Sequence, residues 1–377
     1  MAGAYPVAGS AYAYTQRAIN PHLGFLSGWA ILLDYALFPI LNYIVIAIYV
    51  STLVPSIPYW GTVIASILIV TIVNLLGIKS LSKVNNALVI FMFIAVAYFI
   101  IASFTSLTAG VGSGFTMLPF YNPETFEMSA LLLGTSIACF SFMGFDAMTT
   151  LAEEVRNPGK TLSKATIIVC FFMGFLFVLQ AYFAQAVFPD FSKFTNLDSA
   201  FFDVAVTAGG QSLGTFISIA MIAGALANAI DSQAGVARVL YGMGRDEVIP
   251  KKFFAYLHPK TKVPAYTILL MAVLAIVGAT QGLEMIITMI NFGALTAFMF
   301  VNLSVIAHFY IRSNQRGGAG FVKFLLMPLI GFTTCFILFI SLSSTAKLAG
   351  FSWLAVGLIY LAFSTNFFRN KPKILDM

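Results

Sequence analysis

Three carboxylates stand among residue types that offer them almost no water. Asp34 lies in Leu32-Leu33-Asp34-Tyr35, Asp146 closes Phe140-Ser141-Phe142-Met143-Gly144-Phe145-Asp146, and Asp231 follows the small-residue run Ala223-Gly224-Ala225-Leu226-Ala227-Asn228-Ala229-Ile230. A charge at the centre of a membrane span costs about 2.5–3.5 kcal/mol on insertion scales, so an acid kept there marks a solute or proton path, or a structural pair. Asp34 comes ten residues after Gly24, or about 15 Å along a helix, which places it near the midplane. It reads either as a proton-accepting or cation-facing carboxylate, or as a structural one bonded to Tyr35 or a neighbouring helix. Around Asp146 a glycine, a carboxylate and aromatics coincide. Glycine is about 1 kcal/mol worse than alanine inside a helix, so the helix is expected to open there and expose backbone groups to a charged solute. The other reading is a packing glycine with an acid near a helix end. Asp231 falls about 30 Å from the start of its span; it reads as an interfacial acid pairing with Arg238, with proton coupling as the alternative. Phe140, Phe142 and Phe145 have the faces to stack on a cation.

The elements that must hold these groups are set by composition. Hydrophobic residues make up 60% of the 377, charged residues 9%, and the mean hydropathy is +0.93; soluble domains are about one-quarter charged. No linker or charge run divides the chain, so one membrane domain over 1–377 is expected. A span needs about 20 mostly apolar residues, and ten can be placed: Gly24 to Val54, Tyr59 to Leu76, Val84 to Phe104, Ser129 to Leu151, Ala165 to Phe188, Ser212 to Tyr241, Pro264 to Thr280, Leu283 to Ile311, Phe321 to Ser344 and Gly350 to Phe368. Backbone groups at membrane depth must be satisfied within the chain, so these runs are helices. Placing residues 1–23 in the cytoplasm puts 18 of the 20 Lys and Arg on that side and leaves only Lys193 and Lys347 outside. That asymmetry predicts a multi-pass protein of a bacterial-type cytoplasmic membrane with both termini inside. Residues 1–23 lack a signal-peptide pattern and read as a semi-polar loop-and-helix segment.

Other classes lose support. The net charge of +6 is spread over short loops, without the basic, aromatic-interleaved face of a nucleic-acid binder. Cys139, Cys170 and Cys335 lie in apolar stretches without disulfide or zinc spacing, and His22, His258 and His308 form no ligand motif. No nucleophile elbow or phosphate loop appears. An enzyme is therefore not expected, nor any cofactor. Glu153-Glu154 with Arg156, Lys160 and Lys164 reads as a solvated cluster or inner gate.

Taken together, Pro6-Val7-Ala8-Gly9-Ser10-Ala11-Tyr12, Gly24-Phe25-Leu26-Ser27-Gly28-Trp29, Gly144-Phe145-Asp146, Ala152-Glu153-Glu154 and Arg156-Asn157-Pro158 resemble the amino acid–polyamine–organocation transporter superfamily. The runs Ile19-Asn20-Pro21-His22, Leu32-Leu33-Asp34-Tyr35, Thr149-Thr150-Leu151 and Asn291-Phe292-Gly293-Ala294-Leu295 look closest to its bacterial putrescine-importer branch. The resemblance implies an all-α, LeuT-like fold of two inverted five-helix repeats plus two helices, here with the first two helices absent. Residues 1–23 would then be a cytoplasmic loop, 24–104 the last three helices of repeat one, 129–311 repeat two, and 321–368 the two C-terminal helices. It further implies that Phe140 is a gating aromatic, that Ser141, Phe142, Met143 and Gly144 form the unwound segment, and that Phe145, Asp146, Asp34 and Tyr35 complete the substrate site. Met92 stands where some amino acid carriers place a lysine in lieu of sodium, and Ala227 where some polyamine exchangers have a tryptophan. The expected function is a secondary active importer of a diamine or amino acid, coupled to protons and working by alternating access, with Asp34, Asp146 and Asp231 as coupling candidates. A non-transporting sensor or assembly subunit on the same fold is the alternative. The bilayer, the solute and the proton are the expected partners; oligomeric state is not encoded in any motif.

Overall fold

The computed structural model describes residues 1, 4–5, 10–77, 81–145, 158–245 and 248–369. All regular structure among them is helical, and each of the ten apolar runs contains a helix. Among the described residues eight helices are long and apolar enough to cross a membrane; Met128–Phe142 and Ala265–Gly278 are shorter apolar helices. The order is α1 (Ser10–Ala18), α2 (Pro21–Leu53), α3 (Tyr59–Leu76), α4 (Leu81–Thr108), α5 (Met128–Ala138), α6 (Pro158–Val187), α7 (Ala200–Arg245), α8 (Lys251–Phe254), α9 (Ala265–Gly278), α10 (Leu283–Val305), α11 (Gly318–Phe321), α12 (Met327–Ser341) and α13 (Ser344–Ser364).

Helix α2 is the axis of the molecule. The Asn20 side chain accepts from the His22 amide at 2.8 Å, and Pro21 supplies the first helical residue; both are strong starting signals. Its interior positions pack on nearly every side. Tyr43, Ile44 and Ala47 meet Val63 and Val70 of α3, Ala229 of α7, Ala275 of α9 and Ile290 of α10. By contrast α6 turns Ile168, Phe171 and Phe175 outward, as a lipid-facing helix must. Between helices in lipid, packing and polar contacts replace the hydrophobic drive, and buried polar contacts occur here. Asn74 of α3 donates to Gln233 Oε1 at 2.8 Å and to the Ile230 carbonyl at 3.2 Å, while Gln233 Nε2 donates to Thr71 at 3.2 Å.

Helix α13 is fastened to α2 by a reciprocal tryptophan pair. Trp29 Nε1 donates to the Trp353 carbonyl at 2.9 Å and Trp353 Nε1 to the Trp29 carbonyl at 2.8 Å, with the rings stacked 4.8 Å apart. Gly357 makes room, since a Cβ there would lie 2.3 Å from the Trp29 ring. Gly357→Ala is therefore expected to push α13 off α2 and lower the melting temperature in detergent, at the roughly 1–3 kcal/mol cost of overpacking.

Three differences from the expected regular helices stand out. Helix α13 starts at Ser344 rather than Gly350, because the Ser343 hydroxyl accepts from the Ala346 amide and caps it. Helix α7 has an additional first arm, Ala200–Ala208, joined through Gly209 and Gly210 at non-helical angles (Gly210 φ 75°). That arm packs on α4, with Phe201 against Phe99 at 4.8 Å. Finally, α10 widens into a π-helix over Ile306–Arg312, ending where Arg312 donates to the Arg17 and Ile19 carbonyls at the end of α1.

Candidate substrate site

The expected opening of the helix is present. Helix α5 tightens into a 3-10 turn at Cys139–Phe142; Met143 is extended, and Gly144 takes φ +96°. Change of helix type frees backbone carbonyls that an uninterrupted helix would have used. A left-handed φ at Gly144 has little steric cost only for glycine.

The aromatics of the break fan out to three helices. Phe140 meets Phe38 of α2 at 5.5 Å, Phe142 meets Phe177 of α6 edge-on at 5.5 Å, and Phe145 meets Phe298 of α10 at 5.2 Å. Phe38 lies one turn beyond Asp34 on the same face of α2. Asp34 is buried, at 4% exposure. Leu33 and Leu37, on either side of it, pack in one cluster with Cys139 of the break and Met289 of α10. Asp34, Phe140 and the 3-10 turn therefore share one junction of α2, α5 and α10. Ser141 and Phe142 are exposed beside it, and Met143 is half-buried. Tyr35 packs instead with Ala11 and Val301, and with Val236 and Leu240. Asp231 lies on the exposed side of α7, two turns before the exposed Arg238. Asp146 lies outside the described residues, as do the Glu153-Glu154 pair and Arg156. No group of three metal-ligating side chains occurs among the described residues.

One residue of this junction carried no functional expectation. Asn291 of α10 is fully buried, and its Nδ2 donates to the Ser136 carbonyl at 2.7 Å and toward the Ile137 carbonyl at 3.4 Å. It ties α10 to the last turn of α5 just before the break. An amide in the middle of an apolar span was the available signal.

A cavity of about 820 Å³ adjoins α5, lined among others by Phe120, Tyr121, Phe126, Glu127, Thr135 and Gln185. Its loop wall is pinned to α6: the Ser113 amide donates to the Ala186 carbonyl at 2.8 Å, and the Tyr182 hydroxyl to the Thr116 carbonyl at 3.2 Å. Thr135, at the cavity wall, directly precedes Ser136. Pro189 and Phe191 also line the cavity and flank Asp190. Asp190 accepts from the Ser192 hydroxyl at 2.6 Å and pairs with Lys193 at 3.1 Å. These partners, Ser192 first, hold its carboxyl below the usual range. A depressed folded pKa stabilises the turn above the ordinary Asp pKa and is lost as pH falls through the folded value. Hydrogen-exchange protection of the Ser192 amide is thus expected to stay constant from pH 7 to 5 and to decline only below about pH 4.

An all-α body of many apolar spans, with one helix broken against a buried acid-bearing helix, is that of a polytopic membrane protein. Its fold is shared by the crystal structure of a mutant manganese transporter from Eremococcus coleocola, with a TM-score of 0.53 and 14% identity over 95% of this chain and 82% of that one. Residues 1–367 match the amino acid permease family, and the chain belongs to that family. The low-affinity putrescine importer PlaP of Escherichia coli K12 is 37% identical over 99% of this chain and 83% of its own length. The branched-chain amino acid permease BcaP of Bacillus subtilis is 26% identical over 96% and 81%. The protein is therefore a multi-pass membrane transporter and not an enzyme.

Proposed function

We propose that the protein is a secondary active importer of a polyamine such as putrescine or of an amino acid, driven by protons and working by alternating access. The observation that carries this reading is the break of α5 at Cys139–Gly144, packed through Phe140 on the face of α2 that holds Asp34. Broken helices offer backbone dipoles to a charged solute at the midplane, and a carboxylate beside them favours an ammonium group. Phe140, Ser141, Phe142, Met143, Gly144 and Phe145 would line the path; Asp34 with Tyr35, Asp146 and Asp231 would supply charge and proton sites. Residues 24–104, as the last three helices of repeat one, and residues 129–311, as repeat two, would rock against each other.

Charge on the loops supports a cation. With the termini inside, the outer surface carries Glu124, Glu127, Asp190, Asp198, Asp203 and Glu284 against Lys193 and Lys347. Lys193 is paired with Asp190, and Lys347 donates to the Ile340 carbonyl at 2.8 Å. A face of one sign raises the local concentration of the opposite charge. The name of PlaP, a putrescine importer, points the same way. The test is uptake of radiolabelled putrescine and a panel of amino acids into proteoliposomes, with and without an imposed proton gradient. Gradient-dependent, saturable uptake is expected; no accumulation of any of them under either condition would sink the reading.

A further inference from the structure

The amide of Asn291 is half used. Its Nδ2 is committed to the Ser136 and Ile137 carbonyls, yet its Oδ1 is shut off from solvent and has no partner among the described residues. The amide cannot be turned over to relieve this, because its oxygen would then face two carbonyl oxygens. A buried acceptor without a donor is costly and calls for an explanation. Here the orphan sits at the end of α5, in the turn preceding the break, on a helix that crosses α2 beside Asp34. The crossing is tight: a Cβ on Gly293 would lie 2.5 Å from the Ala30 carbonyl and 3.3 Å from the Asp34 nitrogen. The cavity wall reaches Thr135, the neighbour of Ser136.

Resting on the transport reading above, we infer that Asn291 Oδ1 is an acceptor for a primary ammonium group of the substrate, a binding contact separate from the carboxylates. The chemistry is selective. A carboxylate attracts any cation through its charge as well as through N–H donors, whereas a fixed neutral oxygen gains chiefly from a cation that carries N–H donors. Asn291 thereby adds to the preference for a primary amine over a quaternary ammonium of the same chain that hydrogen bonds to a carboxylate already give. Because Oδ1 is closed off here, the contact forms when the α5 break moves relative to α10, in the course of the same cycle.

The experiment compares n-butylammonium with butyltrimethylammonium by the thermal shift each gives the purified protein, so it does not depend on transport. The unaltered protein is expected to bind the primary amine about tenfold tighter or more, the scale of satisfying one buried acceptor. Asn291→Ala is expected to lower that preference about threefold or more. Asn291→Asp in its protonated form, whose O–H replaces Nδ2 as donor to the Ser136 carbonyl while its other oxygen keeps the orphan position, retains the preference. Equal binding of both amines by the unaltered protein overturns the assignment even if neither variant folds, as does an undiminished preference in a folded Asn291→Ala protein. A protein that binds these amines with the expected preference but accumulates neither putrescine nor amino acids would count against the transport reading alone.

Discussion

Asp34→Asn is expected to cut gradient-driven putrescine accumulation at least tenfold, equivalent to about 1.4 kcal/mol or more in the limiting step. The substitution preserves shape and removes only the charge and the capacity to take up and release a proton. Asp34 is 4% exposed and occupies the α2 turn packed on the break, so no mobile water can substitute for it. Either proposed role, ammonium counter-charge or proton carrier, fails with an amide. Counterflow exchange separates the two: it survives if Asp34 only carries the proton and disappears if Asp34 also holds the ammonium. Glu124→Gln, an exposed change on the outer loop, should leave the rate within about twofold, since isolated surface charges contribute little. An Asp34→Asn protein with undiminished gradient-driven uptake would remove this residue from the cycle.

Gly293→Ala is expected to lower the melting temperature by several degrees and to impair transport. The added methyl would sit 2.5 Å from the Ala30 carbonyl, and a backbone atom cannot swing aside as a flexible side chain can. The two helices must separate, at a cost of about 1–3 kcal/mol, and that separation opens at Asp34. The same substitution at Gly242, in the last part of α7 with nothing within 4 Å of its Cβ, should hold or raise stability, because alanine is the better helix former by about 1 kcal/mol. A melting temperature unchanged by Gly293→Ala would mean that the crossing of α2 and α10 is looser than its geometry indicates.

Lipid is a demanding solvent, and this explains which parts could be read in advance. Every apolar run long enough to span contains a helix because no other local backbone arrangement satisfies its polar groups there. The break at Cys139–Gly144 was legible for a related reason. Gly144 beside Asp146 is a local conflict in an apolar helix, and such conflicts collect at functional positions. The additional arm of α7 could have been taken from Gly209-Gly210, a visible breaker, but its residues Ala200–Ala208 are too few to register as a span. The start of α13 was misplaced because Lys347 suggested loop, while the deciding signal, the Ser343 cap, is a single side chain. Asn291 escaped for a different reason. Its amide is uncharged, and its meaning depends on a carbonyl 155 residues earlier in the chain, a relation no window of sequence contains. Asp34 and Tyr35 stood side by side in sequence, yet a helix turns about 100° per residue, and only Asp34 shares the face of Phe38 that meets the break.

The stacked pair that fastens α13 to α2 has a spectroscopic consequence. The chain contains three tryptophans, and two of them, Trp29 and Trp353, lie with ring centroids 4.8 Å apart and planes inclined by 18°. Indoles so close couple their electronic transitions, while Trp60, at 42% exposure on α3, contributes as a separate chromophore. Since Trp29 is on the same helix as Asp34, the ultraviolet circular dichroism of the unlabelled protein becomes a built-in optical gauge of whether α2 stays fixed to α13 when solute is added.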